Sequence, residues 1–590
     1  MAMRFVLCSL LAFAAPLALA AAPSLMTIAE QSGYQRTGRY DEVERLCAAF
    51  AQAWPTKVRC FEFGRTPEGR PMLGLVASED STLDAASARS RNRPVALMQG
   101  GIHAGEIDGK DAGFLVLREM LEGRVAKGAL SRVTLVFVPV FSVDGHERFG
   151  RWNRPNQAGP EEMGWRTTAQ NLNLNRDYAK AEAPEMHAML RLLNEWDPIL
   201  FADLHVTDGA DFEHDISVTV VPTLSGDAEL MNSGVRLRDA LMRHLASQGS
   251  LPLDFYPSLL RDDVPDSGFA VSVPPIRFSQ SYWATRNRLG VLVETHSWKD
   301  YPTRVRATRN TIVGMMEMTA AEGAEWMKVA RAADGRAARI GGAQVPLAYD
   351  NDEHTIQIDF RGYEYTREPS AISGNLMTRY NSKRPQIWRI PLKDQVRPVL
   401  SVNAPRGGYI VPAAHAAWLL EKLQAHGIET TPITTASPRA AVDTFRATKV
   451  TFAPEPFEGR TMVTVNGDWQ REPRDIPAGS LFVPIAQAKS YLIMQLLEPK
   501  APDSLVSWGF FNAAFERKEY MEAYVAEQVA REMLRKDAAV KREFEQKLAS
   551  DPEFARSPAA RLDFFYRKHA SWDERVNLYP IYRTEGLVLQ

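Results

Sequence analysis

Four stretches of this chain are apolar almost throughout and then end in polar residues: RPVALMQGG, RVTLVFVPVFS, DPILFADLHV and LGVLVETHS. A run apolar on consecutive residues, rather than on alternate ones, reads as a strand covered on both faces. Between these runs, DAGFLVLREMLEG and APEMHAMLRLLNEW carry apolar residues at helical spacing. TKVRCFEFG and RPMLGLVAS, on either side of the turn RTPEGR, read as two further strands. Strands alternating with helices imply an α/β domain with a largely parallel sheet. The carboxyl ends of parallel strands share one edge, where open α/β sheets bind their ligands. His103, Asp144, His205 and Glu294 all fall at such ends.

A helix read from about 309 to 333 runs into DGRAARIGGAQVP, a Gly-rich stretch that marks a boundary. Beyond it the pattern changes. HTIQIDFRGYEY, RPQIWRIPL and TMVTVNGDWQREPRDIPAGSLFVPI are strand-like, AAHAAWLLEKLQAHG is a helix, and residues 511–569 are mainly helical and charged. The expected organisation is an α/β domain over 21–335 and a separate mixed α+β region over 336–590, to which the sequence assigns no role.

With 590 residues, 45% of them hydrophobic, the chain can bury a large core. Lys and Arg total 70 against 72 Asp and Glu, so no overall charge directs it to nucleic acid or to an anionic membrane. The opening MAMRFVLCSLLAFAAPLALAAAPS has a basic start, an apolar stretch and a small-x-small site at Ala18-Leu19-Ala20. It reads as a signal peptide over residues 1–20, too short for the roughly 20 apolar residues of a stable span, and no later stretch reads as a span. The mature protein is therefore expected in the periplasm or outside the cell. Cys8 would leave with the signal, and Cys47 and Cys60 would remain where disulfides are permitted. Pairing and two buried thiols are both open readings.

In LMQGGIHAGEIDGKDAG, His103 and Glu106 stand three residues apart where a strand gives way to a helix. Such a turn can aim both side chains at one point, and zinc accepts imidazole nitrogen and carboxylate oxygen. A catalytic zinc needs a third protein ligand and an open position for water. The strand FADLHVTDG offers His205, although His146, His214 and His296 also lie near polar strand ends.

The motifs FGRTPEGRPMLGLVAS, GGIHAGEIDGK, PVFSVDGHERFGRWNR, NLNLNRDY, FADLHVTDG and LGVLVETHS follow one another in this order. Together they resemble the zinc carboxypeptidase family of the carboxypeptidase A type, over roughly residues 33–335. The resemblance implies an α/β/α fold with a mixed sheet and one zinc per chain at its carboxyl edge, held by His103, Glu106 and His205. It implies Glu294 as general base, Asn175 and Arg176 as the grip on a substrate's terminal carboxylate, and Arg151 as the group polarising the scissile carbonyl, with Arg154 beside it. Asp144 and Asp203 are expected to shape turns or to hydrogen-bond the ligands. The family's mobile tyrosine has no counterpart at its usual distance before the base, and the role of Tyr282 stays open. The implied activity is hydrolysis of C-terminal peptide bonds. The alternatives are an amidohydrolase of cell-wall peptides or acylated amino acids and, less in keeping with the retained ligands and base, a non-catalytic binding module.

Overall fold

A computed structural model describes residues 24–586, so the expected signal segment lies outside the described residues. Nine strands precede residue 300: β1 (Val58–Arg65), β2 (Pro71–Ala77), β3 (Val95–Gly100), β4 (Thr134–Val138), β5 (Leu200–Val206), β6 (Ile216–Val221), β7 (Pro252–Leu253), β8 (Phe269–Ala270) and β9 (Leu289–Thr295). All but β8 form one sheet in the order β1-β2-β4-β3-β5-β9-β6-β7. The central pairs β4/β3, β3/β5 and β5/β9 are parallel, whereas β1/β2, β2/β4 and β6/β9 are antiparallel. Every residue of β3, β4, β5 and β9 is buried, which is why these strands read as unbroken apolar runs.

Helices cover both faces. Gly109, in the helix Asp108–Leu121, comes so close to β5 that an added Cβ would sit 2.7 Å from Leu204 Cβ. Phe201, on the opposite face of β5, packs against Trp283 of the helix Ser279–Ala284. The helices Asp108–Leu121, Ala228–Ser247 and Tyr301–Ala337 pack together in one layer. The last begins earlier than the apolar spacing suggests. Asp300 accepts a hydrogen bond from Thr303 N at 3.0 Å as its N-cap, and Pro302 sits in the first turn, where its missing N–H costs nothing. β6 and the helix Ala228–Ser247 were not among the elements read from the sequence.

Beyond Ala337, β10 (Gln344–Asn351) pairs with β13 (Val396–Asn403), and β11 (Ile356–Pro369) and β12 (Leu376–Lys393) make a long ribbon whose base is tied to β8. β14 (Gly408–Val411), β15 (Thr431–Ile433), β16 (Ser437–Phe452), β17 (Val463–Ile476), β18 (Ser480–Pro484) and β19 (Tyr582–Thr584) form a second sheet. One apolar core is continuous from the first sheet to this region, including Trp326, Leu419 and Leu492. The last helices, from Ala523 to Tyr566, surround a small core of their own around Phe544, Phe554 and Phe565.

Two further features brace the sheet. Cys47, in the helix Tyr40–Ala53, is bonded to Cys60 of β1, which resolves the open reading of these cysteines in favour of pairing. Arg304 is completely buried, with Nε 3.0 Å from Asp108 Oδ2 and its remaining donors on the carbonyls of Ala158, Gly159, Ser297 and Lys299. Among the described residues no helix is long and apolar enough to cross a membrane.

Candidate metal centre

The strand pairing alone brings two candidate groups together. His205 and Glu294 are register partners in the parallel pair β5/β9, so both side chains leave the same face at the carboxyl edge. β3 ends at Gly100, beside Leu204, and the turn that follows delivers His103 and Glu106 to the same place. That turn is closed by Glu106 N donating to His103 O at 2.9 Å.

Gly105 lies inside it. An added Cβ would meet Arg154 Cγ at 2.6 Å and Gly164 O at 2.7 Å, so only glycine lets the 150–166 segment lie against the turn. Arg154 Nη2 thereby comes 2.9 Å from Glu106 Oε1, and Arg166 Nη1 lies 3.5 Å from the same oxygen.

His103, Glu106 and His205 are all buried, and one ligand atom from each lies within 4.8 Å of the others. His103 Nδ1 is 2.9 Å from Glu106 Oε1, and His205 Nδ1 is 2.8 Å from Glu106 Oε2. The outer ring nitrogens have partners of their own. His103 Nε2 faces Asn173 Oδ1 at 3.1 Å, and His205 Nε2 is 2.9 Å from Asp203 Oδ2. The amide oxygen favours a proton on His103 Nε2 and leaves its Nδ1 lone pair aimed inward, whereas His205 Nε2 also has Asn175 Nδ2 at 3.5 Å. Three electron-rich donors this close repel one another unless a cation, whether an imidazole proton or a metal ion, lies between them. The donor set of two imidazoles and one carboxylate, with a cavity beside it, is one of those that hold a catalytic zinc.

The electrostatics fit that arrangement. Burial pushes the His103 pKa down to about 4, favouring the neutral imidazole that ligates metal. Burial opposes ionisation of Glu106, but His103 and Arg154 outweigh it and hold the carboxyl well below its ordinary range. Burial would depress His205 too, yet the carboxylates of Asp203 and Glu106 prevail and raise it well above the usual histidine value. Glu294 is pushed up to about 8 by burial, with Glu106 and Asp208 adding repulsion and His205 opposing. Its Oε2 is buried and has no hydrogen-bond partner among the described residues, so it has a lone pair free for a proton.

A cavity of about 500 Å³ opens onto this centre, lined by His103, Glu106, Glu294, Asn175, Arg176 and Arg166 among others. Asn175 and Arg176 sit in a short 3₁₀ turn whose cap, Asn173, accepts a hydrogen bond from Asn175 N at 3.1 Å. The Arg176 guanidinium lies over the Phe278 ring, 4.6 Å from its centroid, and Nη1 donates to Asn175 O at 2.9 Å. Among the described residues it has no carboxylate within ion-pair distance, and burial lowers its pKa.

Arg151 is not brought to this centre. Gly150 pairs with Met163, and Asn153 Nδ2 bonds the carbonyls of Arg148 and Met163, both at 2.8 Å. The closed loop turns Arg151 outward, into a separate surface cleft, and folds Arg154 back onto Gly105. Arg154 and Arg166 are the guanidinium groups beside the triad. Tyr282 is likewise remote, fully buried with its hydroxyl 2.9 Å from His426 Nδ1. The cavity instead contains Tyr256. Neither Arg166, in MGWRTTAQ, nor Tyr256, in LDFYPS, carries a sequence signal beyond its residue type. Asp203 supports His205, whereas Asp144 accepts from Thr66 Oγ1 at 2.8 Å and Glu68 N at 3.2 Å and so shapes a turn.

Fold and site define the class: an α/β protein with a candidate metal centre at the carboxyl edge of a mixed sheet. Residues 43–223 match the family model of the zinc carboxypeptidases, peptidase family M14, and the chain carries a zinc carboxypeptidase-family domain. Solved structures similar to it include carboxypeptidase A from Helicoverpa armigera, at 18% identity and a TM-score of 0.35, covering 49% of this chain and 74% of that one. A metallo-carboxypeptidase from Burkholderia cenocepacia is similar at 16% identity and a TM-score of 0.34, covering 48% of this chain and 69% of that one. No curated protein matches the sequence significantly.

Proposed function

We propose that the protein is an exported zinc metallocarboxypeptidase that removes C-terminal residues from peptides. The observation that carries this reading is Arg176: a half-buried guanidinium, facing the cavity beside the triad, without a carboxylate partner among the described residues. A planar fork in such a place favours a bidentate anion, and a peptide's free C-terminus supplies one.

His103, Glu106 and His205 would hold the zinc. When bound, zinc supplies Lewis acidity and lowers the pKa of its water to about 7. In its carboxylate form Glu294 would take the proton from the attacking water and return it to the leaving amine, using an oxygen that no other described residue engages. Arg166, which lines the cavity with its Nη1 3.5 Å from Glu106 Oε1, would favour charge developing on the scissile carbonyl oxygen. Asn175 and Arg176 fix the substrate's terminus, so the bond presented is the last one. The Cys47–Cys60 bond supports export to an oxidising compartment.

The test is Glu294→Gln in zinc-loaded protein. It keeps the shape and removes the base, so kcat should fall by about 10²–10⁴ while bound zinc is retained. A variant with near wild-type kcat would exclude Glu294 as the base.

A further inference from the structure

The two candidate histidine ligands are backed differently. His205 Nε2 faces a carboxylate directly, that of Asp203 at 2.9 Å. His103 Nε2 faces only a neutral amide oxygen, Asn173 Oδ1 at 3.1 Å. The amide continues to a carboxylate, because Asn173 Nδ2 lies 3.4 Å from Glu458 Oε1. Glu458 comes from the C-terminal region, far outside the segment that matches the family.

The loop that brings it there is built to hold position. It joins β16 to β17 and closes on itself through reciprocal Phe457 and Arg460 backbone bonds of 2.8 and 3.1 Å. Glu458 takes a left-handed conformation, φ 49°, which is strained for a residue with a Cβ and persists only where surroundings impose it. Those surroundings include residues of the first domain. Arg460 Nε bonds Glu182 Oε1 at 3.0 Å, Lys180 Nζ reaches Glu458 O at 3.4 Å, and Arg277 lies over the Phe457 ring at 5.6 Å. On its other side, Phe457 stacks on Trp508 of the C-terminal region.

We propose that Glu458 is the carboxylate partner of His103, acting through Asn173, so that the C-terminal region completes the metal centre. A carboxylate only accepts hydrogen bonds, so Glu458 draws the Asn173 NH₂ toward itself and leaves Oδ1 for His103. Asn175 N, donating to the same Oδ1, requires the same orientation. With Oδ1 accepting from Nε2–H, His103 keeps its Nδ1 lone pair toward Glu106 and the metal position. The Glu458 charge also polarises the amide and strengthens His103 as a ligand, as Asp203 does directly for His205. Glu458 is thus a positioning residue in a chain of contacts from the second region to the metal. This inference rests on the zinc reading of the triad.

The experiment is zinc affinity of the full chain, by competition with a chromophoric chelator, for the wild type, E458A, E458Q, N173D and the double variant N173D/E458A. Outer partners of metal ligands are worth about 10–100-fold in affinity. E458A should weaken zinc binding by about tenfold, at the lower end because it acts through one intermediary. E458Q, which keeps an acceptor, should recover much of that loss. In the N173D background a carboxylate meets His103 directly and Glu458 becomes a like charge beside it, so E458A should no longer weaken binding. E455A, an exposed change in the same loop, should leave affinity unaltered. Unchanged affinity in both E458A and E458Q would overturn the proposal alone. An equal loss from E458A in both backgrounds would overturn it as well, marking a general effect of the loop. A wild type that binds no zinc would overturn this inference together with the proposed function.

Discussion

Asp108→Ala should be among the most destabilising single changes near the site, and the reason lies in Arg304. The guanidinium is buried beyond reach of water, with Asp108 as its charged partner and four backbone carbonyls as its neutral ones. Asp108 also accepts from Thr295 Oγ1 at 2.7 Å, next in sequence to Glu294, and stands two residues after Glu106. Burial raises the Asp108 pKa despite the nearby Arg304 charge, so desolvation of the carboxylate is not fully offset. An intact pair of this kind therefore adds little over an apolar replacement of both partners, but removing one partner leaves an uncompensated buried charge at a cost of about 3–5 kcal/mol. Thr295→Val is the comparison. It deletes one hydrogen bond to the Asp108 carboxylate and should cost about 2 kcal/mol, less than the uncompensated charge. Both would be measured by urea unfolding at pH 7 in the presence of a chelator, following tryptophan fluorescence, so that lost metal does not enter the difference. If Asp108→Ala costs no more than Thr295→Val, the ion pair is not what braces this edge.

Three further outcomes are expected. Replacing both Cys47 and Cys60 by alanine opens a bond that joins residues 13 apart and should lower stability by about 3 kcal/mol; an unchanged unfolding midpoint would contradict this. In metal-stripped protein Glu294 has its folded pKa raised from 4.5 to about 8. Its contribution is thus fully present below about pH 4.5 and is lost as pH rises toward 8, and Glu294→Gln should remove that part of the pH dependence, whereas identical profiles for the two proteins would refute the desolvated carboxyl. Arg176→Ala should chiefly raise KM for free-ended peptides and erase their advantage over amidated ones; unchanged discrimination would rule out Arg176 as the terminal grip.

What the sequence made legible was what local chain geometry decides. The four unbroken apolar runs are the four fully buried strands, and their polar ends carry Glu294 and His205 and lead into His103 and Glu106. His103 and Glu106 share one turn, so their meeting needs no long-range packing. The arginines were a different matter. Whether Arg151 or Arg154 faces the triad depends on how the 150–163 loop closes and on how closely it packs against Gly105, and neither is written in residue spacing. Arg166, Tyr256 and Glu458 reach the centre from segments without periodicity, the last through a hairpin loop of another sheet. Cys47 and Cys60 could be paired only once the helix Tyr40–Ala53 lay beside β1.

The most direct test of the central claim uses a matched pair of peptides, identical except for a free or an amidated C-terminus, incubated with zinc-loaded protein and read by product mass. The proposed function predicts stepwise release of single residues from the free-ended peptide, little cleavage of the amidated one, and no release from either after Glu294→Gln. Internal cleavage, or equal rates on the two peptides, would contradict the carboxypeptidase reading.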